Sequence, residues 1–559
     1  MKNKRRWGRA LLLSYLLSGA VLAGERHALL IGVGALPAMP RGSWLAGPTA
    51  DVNAMRAALR QQGFADEHIY RLADDAGASQ APTRQAILAR LAQLEKTLGK
   101  DDVLLLYWSG HSVLLPVYPG QAAAPQGRRT RLLTRDSQVS HQGRQLDGGV
   151  GSSELGRAID AFAARQTQVV AIFDTCHAAA GTRSGDGLAW RGLAASDIGW
   201  RPPPGKGTPP DEPRARPRYV AFFAAEAQQR TPEAAAAATP GQAAGLFTQA
   251  VIAALQRQPQ TYAMWAGAAT QQYRSALQAY QLPRSAWPSP VYAGALDAPL
   301  WQGDDAAIPA PLWPVRRDAQ GWLVPFGLLD GMREGDLFRQ AGARWRASKT
   351  GWGETRLTLL PGSAGAAAGW ASRTPAPLPA GSIRQGRLAA LLALPATPGP
   401  PLLDARIELT LPGKAPRQQA FADGDLGVLP AGTRIRLSVE NRSAASVDLG
   451  LAHLPLDGPA TRIYPALDGD SNRMPPAIGA GISRFERSFV VSGPHYGVEW
   501  LALVAAPAAN GTLPRRFAIL EALPALPATR GAANVAVPVA EAGNPDQAQV
   551  ARLSWRSVQ

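Results

Sequence analysis

Two uninterrupted apolar runs, Asp102 to Trp108 (DVLLLYW) and Val169 to Phe173 (VVAIF), leave little choice of fold. Runs without polar alternation read as strands covered on both faces, and such strands belong to parallel sheets clad in helices. Each run ends in a short polar sequence, Ser109-Gly110-His111-Ser112 after the first and Asp174-Thr175-Cys176-His177 after the second. Open α/β sheets place their ligand crevices at the carboxyl ends of strands. If these strands end side by side, His111 and Cys176 meet although 65 positions separate them. An imidazole beside a thiol can take its proton, and the thiolate is the nucleophile. The alternative is that Cys176 merely fills core, since free cysteine is among the most buried residue types.

YWSGHS and DTCHAAAG resemble the histidine and cysteine motifs of caspase-like peptidases, in their metacaspase and bacterial branch, whose typical forms read Y-S-G-H-G and D-S-C-H-S-G. YVAFFAAEAQQRTPE followed by GLFTQAVIAAL is similar to the second, smaller half of these domains, where a strand leads into S-A-x-x-x-Q-x-A-x-E and then a G-x-F-T helix. The resemblance covers His27 to Ala295. It implies Cys176 as nucleophile, His111 as general base, and an oxyanion hole on the backbone N–H groups of Cys176 and Ser112. The family usually has Gly where Ser112 stands, and CHAAAG departs from the commoner CHSG.

The resemblance also implies an acidic first-subsite pocket for Arg or Lys, built from Asp51, Asp174 and Ser109. Asp51 lies in LAGPTADVNAM, which matches L-x-G-x-x-x-D, and Asp174 stands two residues before the cysteine. Other readings exist for both acids: Asp51 as a helix-start acid favoured by the dipole, Asp174 as a turn former. Calcium-activated metacaspases carry an acid cluster after S-G-H, whereas Ser112 to Gln145 supplies only Asp136. His177 has no second ligand pair spaced nearby. No metal and no cofactor is expected.

Strands and helices alternate from His27 onward. Val52, Met55 and Leu59 mark one helix, and Ile87, Leu91, Leu94 and Leu98 another. Leu155, Ile159 and Phe162 mark a third. Alternation of this kind predicts a mostly parallel sheet with right-handed crossovers. The fold class expected is therefore α/β, a caspase-like sheet flanked by helices over 24–300, followed by a β-rich carboxyl-terminal region. Residues 181–218, containing RPPPGKGTPPDEPRARPR, read as an exposed linker. A small barrel-like segment with Pro/Ala/Gly linkers is expected over 301–400, an antiparallel β-sandwich over 401–510, and an Ala/Pro-rich, partly irregular tail over 511–559.

Residues 1–23 combine a basic start, a short apolar stretch and Val21-Leu22-Ala23, the pattern of a secretory signal cleaved after Ala23. The mature protein is thus expected in the periplasm or outside the cell, without a transmembrane span. A single cysteine cannot form an internal disulfide, and an unused thiol is a liability in an oxidising compartment. Net charge is +16, but no stretch clusters arginine with aromatics as a nucleic-acid groove would. The partner expected is a protein or peptide substrate, not nucleic acid.

The reading is an exported cysteine endopeptidase cleaving after Arg or Lys. The alternative is an inactive caspase-like scaffold whose β region binds a cell-envelope partner. Self-cleavage is expected in the 181–218 linker, which carries Arg183, Arg191, Arg201, Arg214, Arg216 and Arg218.

Overall fold

The computed structural model describes residues 24–75, 77–115, 129–140, 145–175, 188–193, 197–199, 219–226, 229–234, 243–296, 298–301, 312–376, 394, 401–455, 461–464, 472–476, 483–492, 496–512, 514, 515, 517, 520 and 548–558. The signal-like leader lies outside them.

The first half opens with β1 (Arg26–Gly32), α1 (Pro48–Gln61), β2 (Ile69–Leu72), α2 (Arg84–Thr97) and β3 (Val103–Ser109). Five short strands and a helix follow: β4 (Ser112–Leu115), β5 (Arg129–Leu132), β6 (Gln138–Ser140), β7 (Gln145–Asp147), β8 (Val150–Gly151) and α3 (Ser152–Ala164). Then come β9 (Gln168–Asp174), β10 (Leu188–Arg191), β11 (Tyr219–Phe223), β12 (Thr231–Ala234) and β13 (Ala244–Gly245). The half closes with α4 (Leu246–Leu255), α5 (Tyr262–Ala279) and β14 (Val291–Gly294).

The main sheet runs β2-β1-β3-β9-β11-β14 among the described residues. All its pairings are parallel except that of β14 with β11. Every residue of β3 and β9 is buried, as their unbroken apolar runs require. Val52 and Met55 of α1, Phe247 of α4 and Trp265 and Tyr273 of α5 pack into one core cluster. Ile87 and Leu91 of α2 and Leu155, Ile159 and Phe162 of α3 pack into the other. Each such large apolar side chain contributes about 1.5–3 kcal/mol on burial. Local chemistry starts the helices: the Thr83 hydroxyl accepts the Ala86 N–H at 3.3 Å, and Thr261 does the same for Met264 at 3.2 Å.

The register of β3 and β9 sets Ser109 directly beside Asp174. The two strand ends that carry the motifs therefore lie together at one edge of the sheet. The linker expectation needs correction. Leu188–Arg191 is a strand paired with β12, and Arg191 is completely buried. The rest of the expected linker is outside the described residues, apart from 192, 193 and 197–199.

A closed six-stranded barrel follows, of strands Leu312–Asp318, Gly321–Val324, Leu337–Gln340, Ala343–Thr350, Thr355–Leu359 and Gly369–Thr374. Gly331 to Asp336 forms the turns before Leu337. Gly369–Thr374 closes the barrel by pairing with both Leu312–Asp318 and Leu337–Gln340.

Beyond it, a four-stranded antiparallel sheet (Asp404–Thr410, Arg417–Ala420, Arg434–Asn441, Ser483–Val490) shares one core with a larger sheet. The sandwich is not wholly antiparallel: Gln549–Val558 lies inside the larger sheet, parallel to Gly424–Pro430 and antiparallel to Val498–Pro507. That strand corrects the expectation of a tail. Val550, Leu553 and Trp555 are buried on it, a pattern that Ala/Pro-rich composition upstream obscures.

The sandwich grips the first half through a buried ion cluster. Arg473 binds Asp448 (Nε to Oδ1, 2.7 Å), the Thr512 carbonyl (2.8 Å) and Glu226 (3.3 Å), which follows β11. Burial pushes the Glu226 carboxyl up to about 7, with Arg473 pulling down and Asp448 pushing up. A carboxyl raised in the folded state contributes stability that is full below its ordinary value of 4.5 and lost as pH rises through 7. Glu226→Gln cannot ionise. Relative to this variant, the wild type is expected to lose denaturant resistance between pH 5 and 8. A constant difference across that range would show Glu226 to be ionised throughout.

Candidate functional site

The ends of β3 and β9, the start of α1 and the β12–β13 pair converge on one dry pocket. Asp51, from the first turn of α1, is fully buried beside Ser109 and Asp174. The Ser109 hydroxyl donates to Asp51 Oδ2 at 2.7 Å, and the Gly245 N–H donates to Asp51 Oδ1 at 2.9 Å. Asp174 Oδ2 accepts from the Thr248 N–H (3.0 Å) and hydroxyl (2.6 Å), at the amino end of α4. The three residues expected to line a pocket are thus brought together.

A fourth is Glu233 of β12. Its Oε1 accepts the Ala46 N–H at 3.1 Å, and its Oε2 faces the same pocket. The signal for it was the glutamate that ends YVAFFAAEAQQRTPE.

The pocket is filled by the chain's own Arg191. Its guanidinium binds Asp51, Asp174 Oδ2 at 2.8 Å and Glu233 Oε2 at 3.1 Å, and donates to the Asp174 carbonyl at 3.0 Å. Burial works to lower the Arg191 pKa, but the three carboxylates hold it well above the usual value. Burial pushes Asp51 up to about 6 against the pull of Arg191, and the neighbouring Asp174 adds to the rise. Three acids around one cation leave an excess of negative charge in a water-poor space.

His111 stands between β3 and β4, 3% exposed. Its Nδ1 accepts the Gly192 N–H at 2.9 Å. Burial and then the Arg191 charge push its pKa down to about 3, while the Ser43 backbone opposes them. The ring is therefore neutral at pH 7 and able to accept a proton. Ser43 is a neighbour that no motif announces. Ser112 is buried at the start of β4, its carbonyl accepting the Leu193 N–H at 3.1 Å. Cys176 lies outside the described residues, two positions after Asp174; Thr175 between them is buried.

Among the described residues, Glu25, His27 and His68 form a group whose ligand atoms could converge on a cation. They sit at the opposite, amino end of β1, away from the pocket. No helix among the described residues is long and apolar enough to cross a membrane.

Residues 26–182 match the profile described as "Metacaspase, peptidase C14 domain". The chain is 30% identical over 157 residues to a protein named Metacaspase-1 from Mycosarcoma maydis, a match that takes in 28% of this chain and 36% of that protein. A Metacaspase-1 from Candida albicans is 36% identical over 90 residues, 16% of this chain and 19% of its own length. The match thus spans about a third or less of these relatives. A solved structure of a Geobacter sulfurreducens protein covers 44% of this chain and 89% of its own, at 19% identity and a TM-score of 0.32. Asp51, Ser109, His111, Ser112, Asp174 and Cys176 fall inside the matched span, and Arg191 and Glu233 fall beyond it. Over residues 26–182 the chain is thus similar to the metacaspase peptidase C14 domain.

Proposed function

We propose that the protein is an exported cysteine endopeptidase that cleaves after Arg, with Lys second. The observation that carries this reading is the guanidinium held by Asp51, Asp174 and Glu233 one residue from the N–H on His111. A planar fork of donors suits three carboxylates better than a lysine ammonium does. Cys176 then attacks the carbonyl of the residue whose side chain fills the pocket, with His111 taking the thiol proton. The oxyanion is held by the N–H groups of Cys176 and Ser112.

Fluorogenic peptides differing only at the first subsite test this. Arg is expected to be cleaved fastest, Lys more slowly and Asp very poorly, with Cys176→Ala inactive. Chelator and calcium are expected to leave the rate unchanged. A preference for Asp, or a rate in Cys176→Ala equal to that of wild type, would refute the reading. Export predicts that the protein recovered from the producing bacterium begins at Gly24.

One observation favours the inactive scaffold instead: Arg191 already occupies the pocket. A wild type that never turns over any Arg peptide, and whose β region retains an envelope partner, would support that alternative.

A further inference from the structure

A second cluster of chemistry-bearing side chains stands at the amino end of the main sheet, where β1 and β2 begin. The parallel register sets Ala28 beside Ile69, so His27 and His68, each one position earlier, are neighbours. Their imidazoles stack with centroids 4.1 Å apart and planes 14° apart, and Tyr70 lies parallel to His27 at 6.5 Å. Arg90 of α2 covers Tyr70. Glu25 precedes His27 by two residues, the spacing that puts side chains of an extended chain on one face. Its Oε2 lies 3.1 Å from His27 Nε2 and 4.0 Å from His68 Nε2. The backbone of Glu25 is pinned to β3: its N–H donates to Asp102 Oδ1 at 2.8 Å, and its carbonyl accepts the Val103 N–H at 2.9 Å. Asp102 is itself fixed by the Gly99 N–H at 2.8 Å. Ion pairing does not account for this arrangement. His27 is 6% exposed, and burial holds its pKa below the ordinary 6.5 against the pull of the Glu25 hydrogen bond. Protonating either ring sets a cation against the other at stacking distance. At pH 7 the carboxylate therefore faces a neutral, buried imidazole, and the second imidazole nitrogen is too distant for a hydrogen bond. Positive charge is missing at the point the three groups share.

We propose that Glu25, His27 and His68 bind a zinc ion, with water in the fourth position, and that the ion fastens the start of β1 to the entry of β2. The donor set selects the metal. Two neutral imidazoles and one carboxylate are ligands that zinc takes, whereas calcium and magnesium take oxygen. Ligand atoms of the three residues lie within 4.8 Å of one another. Tetrahedral zinc with ordinary bond lengths holds its ligand atoms about 3.3–3.5 Å apart. The Glu25–His27 separation of 3.1 Å is already near that value, and the Glu25–His68 separation of 4.0 Å has to shorten by about half an ångström. The means of shortening are at hand. His27 is fixed in the stack, while the side chains of His68 and Glu25 are 28% and 67% exposed and have room to close. The exposure of Glu25 also leaves the fourth position to water. The expectation of no metal rested on His177 and on Ser112 to Gln145, and none of those residues takes part here. The cluster lies at the opposite end of β1 from the acidic pocket, so the ion is structural and has no part in peptide cleavage.

Zinc titration of the chelator-stripped, untagged protein, read against a chromophoric chelator, tests this. The Cys176→Ala protein is the parent, which removes the chain's one thiol as a competing ligand. One zinc per chain is expected, and Tm should rise with zinc concentration, as it does for any ligand that binds only the folded state. Glu25→Gln keeps the shape of its side chain, and His68→Phe keeps the ring stack on His27; each removes one donor. Either substitution should raise the zinc Kd by about 100-fold or more, at least the upper end of what losing a mere orienting neighbour costs, and should abolish the rise in Tm. Both variants are expected to melt with the parent when zinc is absent, since neither side chain is buried in a core cluster. Cobalt(II) in place of zinc should give the visible absorption of a four-coordinate site in the parent and not in the variants. Equal zinc affinity in the parent and both variants would overturn the proposal, as would a parent that takes up calcium but no zinc, or no metal at all. The readouts need no turnover, so the proposal stands or falls apart from the peptidase reading.

Discussion

Replacing His111 by Ala is expected to leave the protein folded and to slow Arg-peptide cleavage by about two to four orders of magnitude, the usual contribution of a positioned general base. The ring sits between strands, not within one, and no sheet pairing passes through it. Its removal empties a buried space beside Gly192 without breaking a ladder. At pH 7 the imidazole is neutral, because burial and the Arg191 charge hold its pKa near 3. The acid limb of the pH–rate profile should therefore lie below the ordinary histidine value of about 6.5.

The same depression has a stability consequence. A histidine whose folded pKa is lowered contributes stability that is present above 6.5 and is lost as pH falls from there towards 3. Cys176→Ala protein should therefore weaken across that range more than the Cys176→Ala, His111→Ala double variant does. Added imidazole should restore part of the lost rate by filling the vacated space. Full activity in His111→Ala with unchanged circular dichroism would remove this residue from the reaction.

What the sequence disclosed and what it hid follow from the range of the interactions. Strand identity is local, so the runs of β3 and β9 were legible, and parallel topology then put Ser109 beside Asp174. Asp51 was legible only through its resemblance to a motif. Its partner donors are at Gly245 and Arg191, far along the chain. Arg191 was one arginine among six in a segment without periodicity. Only the pairing with β12, about forty residues downstream, makes it a buried strand end. The last strand, Gln549–Val558, was missed for a similar reason: its neighbours in the sheet are Gly424–Pro430 and Val498–Pro507, and the composition before it suggests no order.

Exchange of Glu233 for Gln is expected to lower kcat/KM for Arg peptides by about thirtyfold to several thousandfold, the 2–5 kcal/mol range for removing one partner of a buried charge pair. Peptides with a neutral first residue should change little. The selectivity follows from how the acids are held. Each carboxylate is fixed by donors of the chain itself, Asp51 by Ser109 and Gly245, Asp174 by Thr248, Glu233 by Ala46. These contacts do not depend on the guanidinium, so the acids are held in place by the chain's own donors. Removing one charge therefore subtracts from cation binding alone. Because burial holds Asp51 near 6, the Michaelis constant for Arg peptides should also rise as pH falls through that value. Gly245→Ala tests the same pocket by volume. Its φ of −64° suits any residue, yet a methyl group there would fall on Asp174 Oδ2 and lie 2.6 Å from Arg191 Nη1. Arg and Lys peptides should both lose in that variant, since the bottom of the pocket is filled whatever the charge. An unchanged ratio of Arg to neutral cleavage in both variants would mean that the acids serve only to anchor Arg191, and that substrates are read elsewhere.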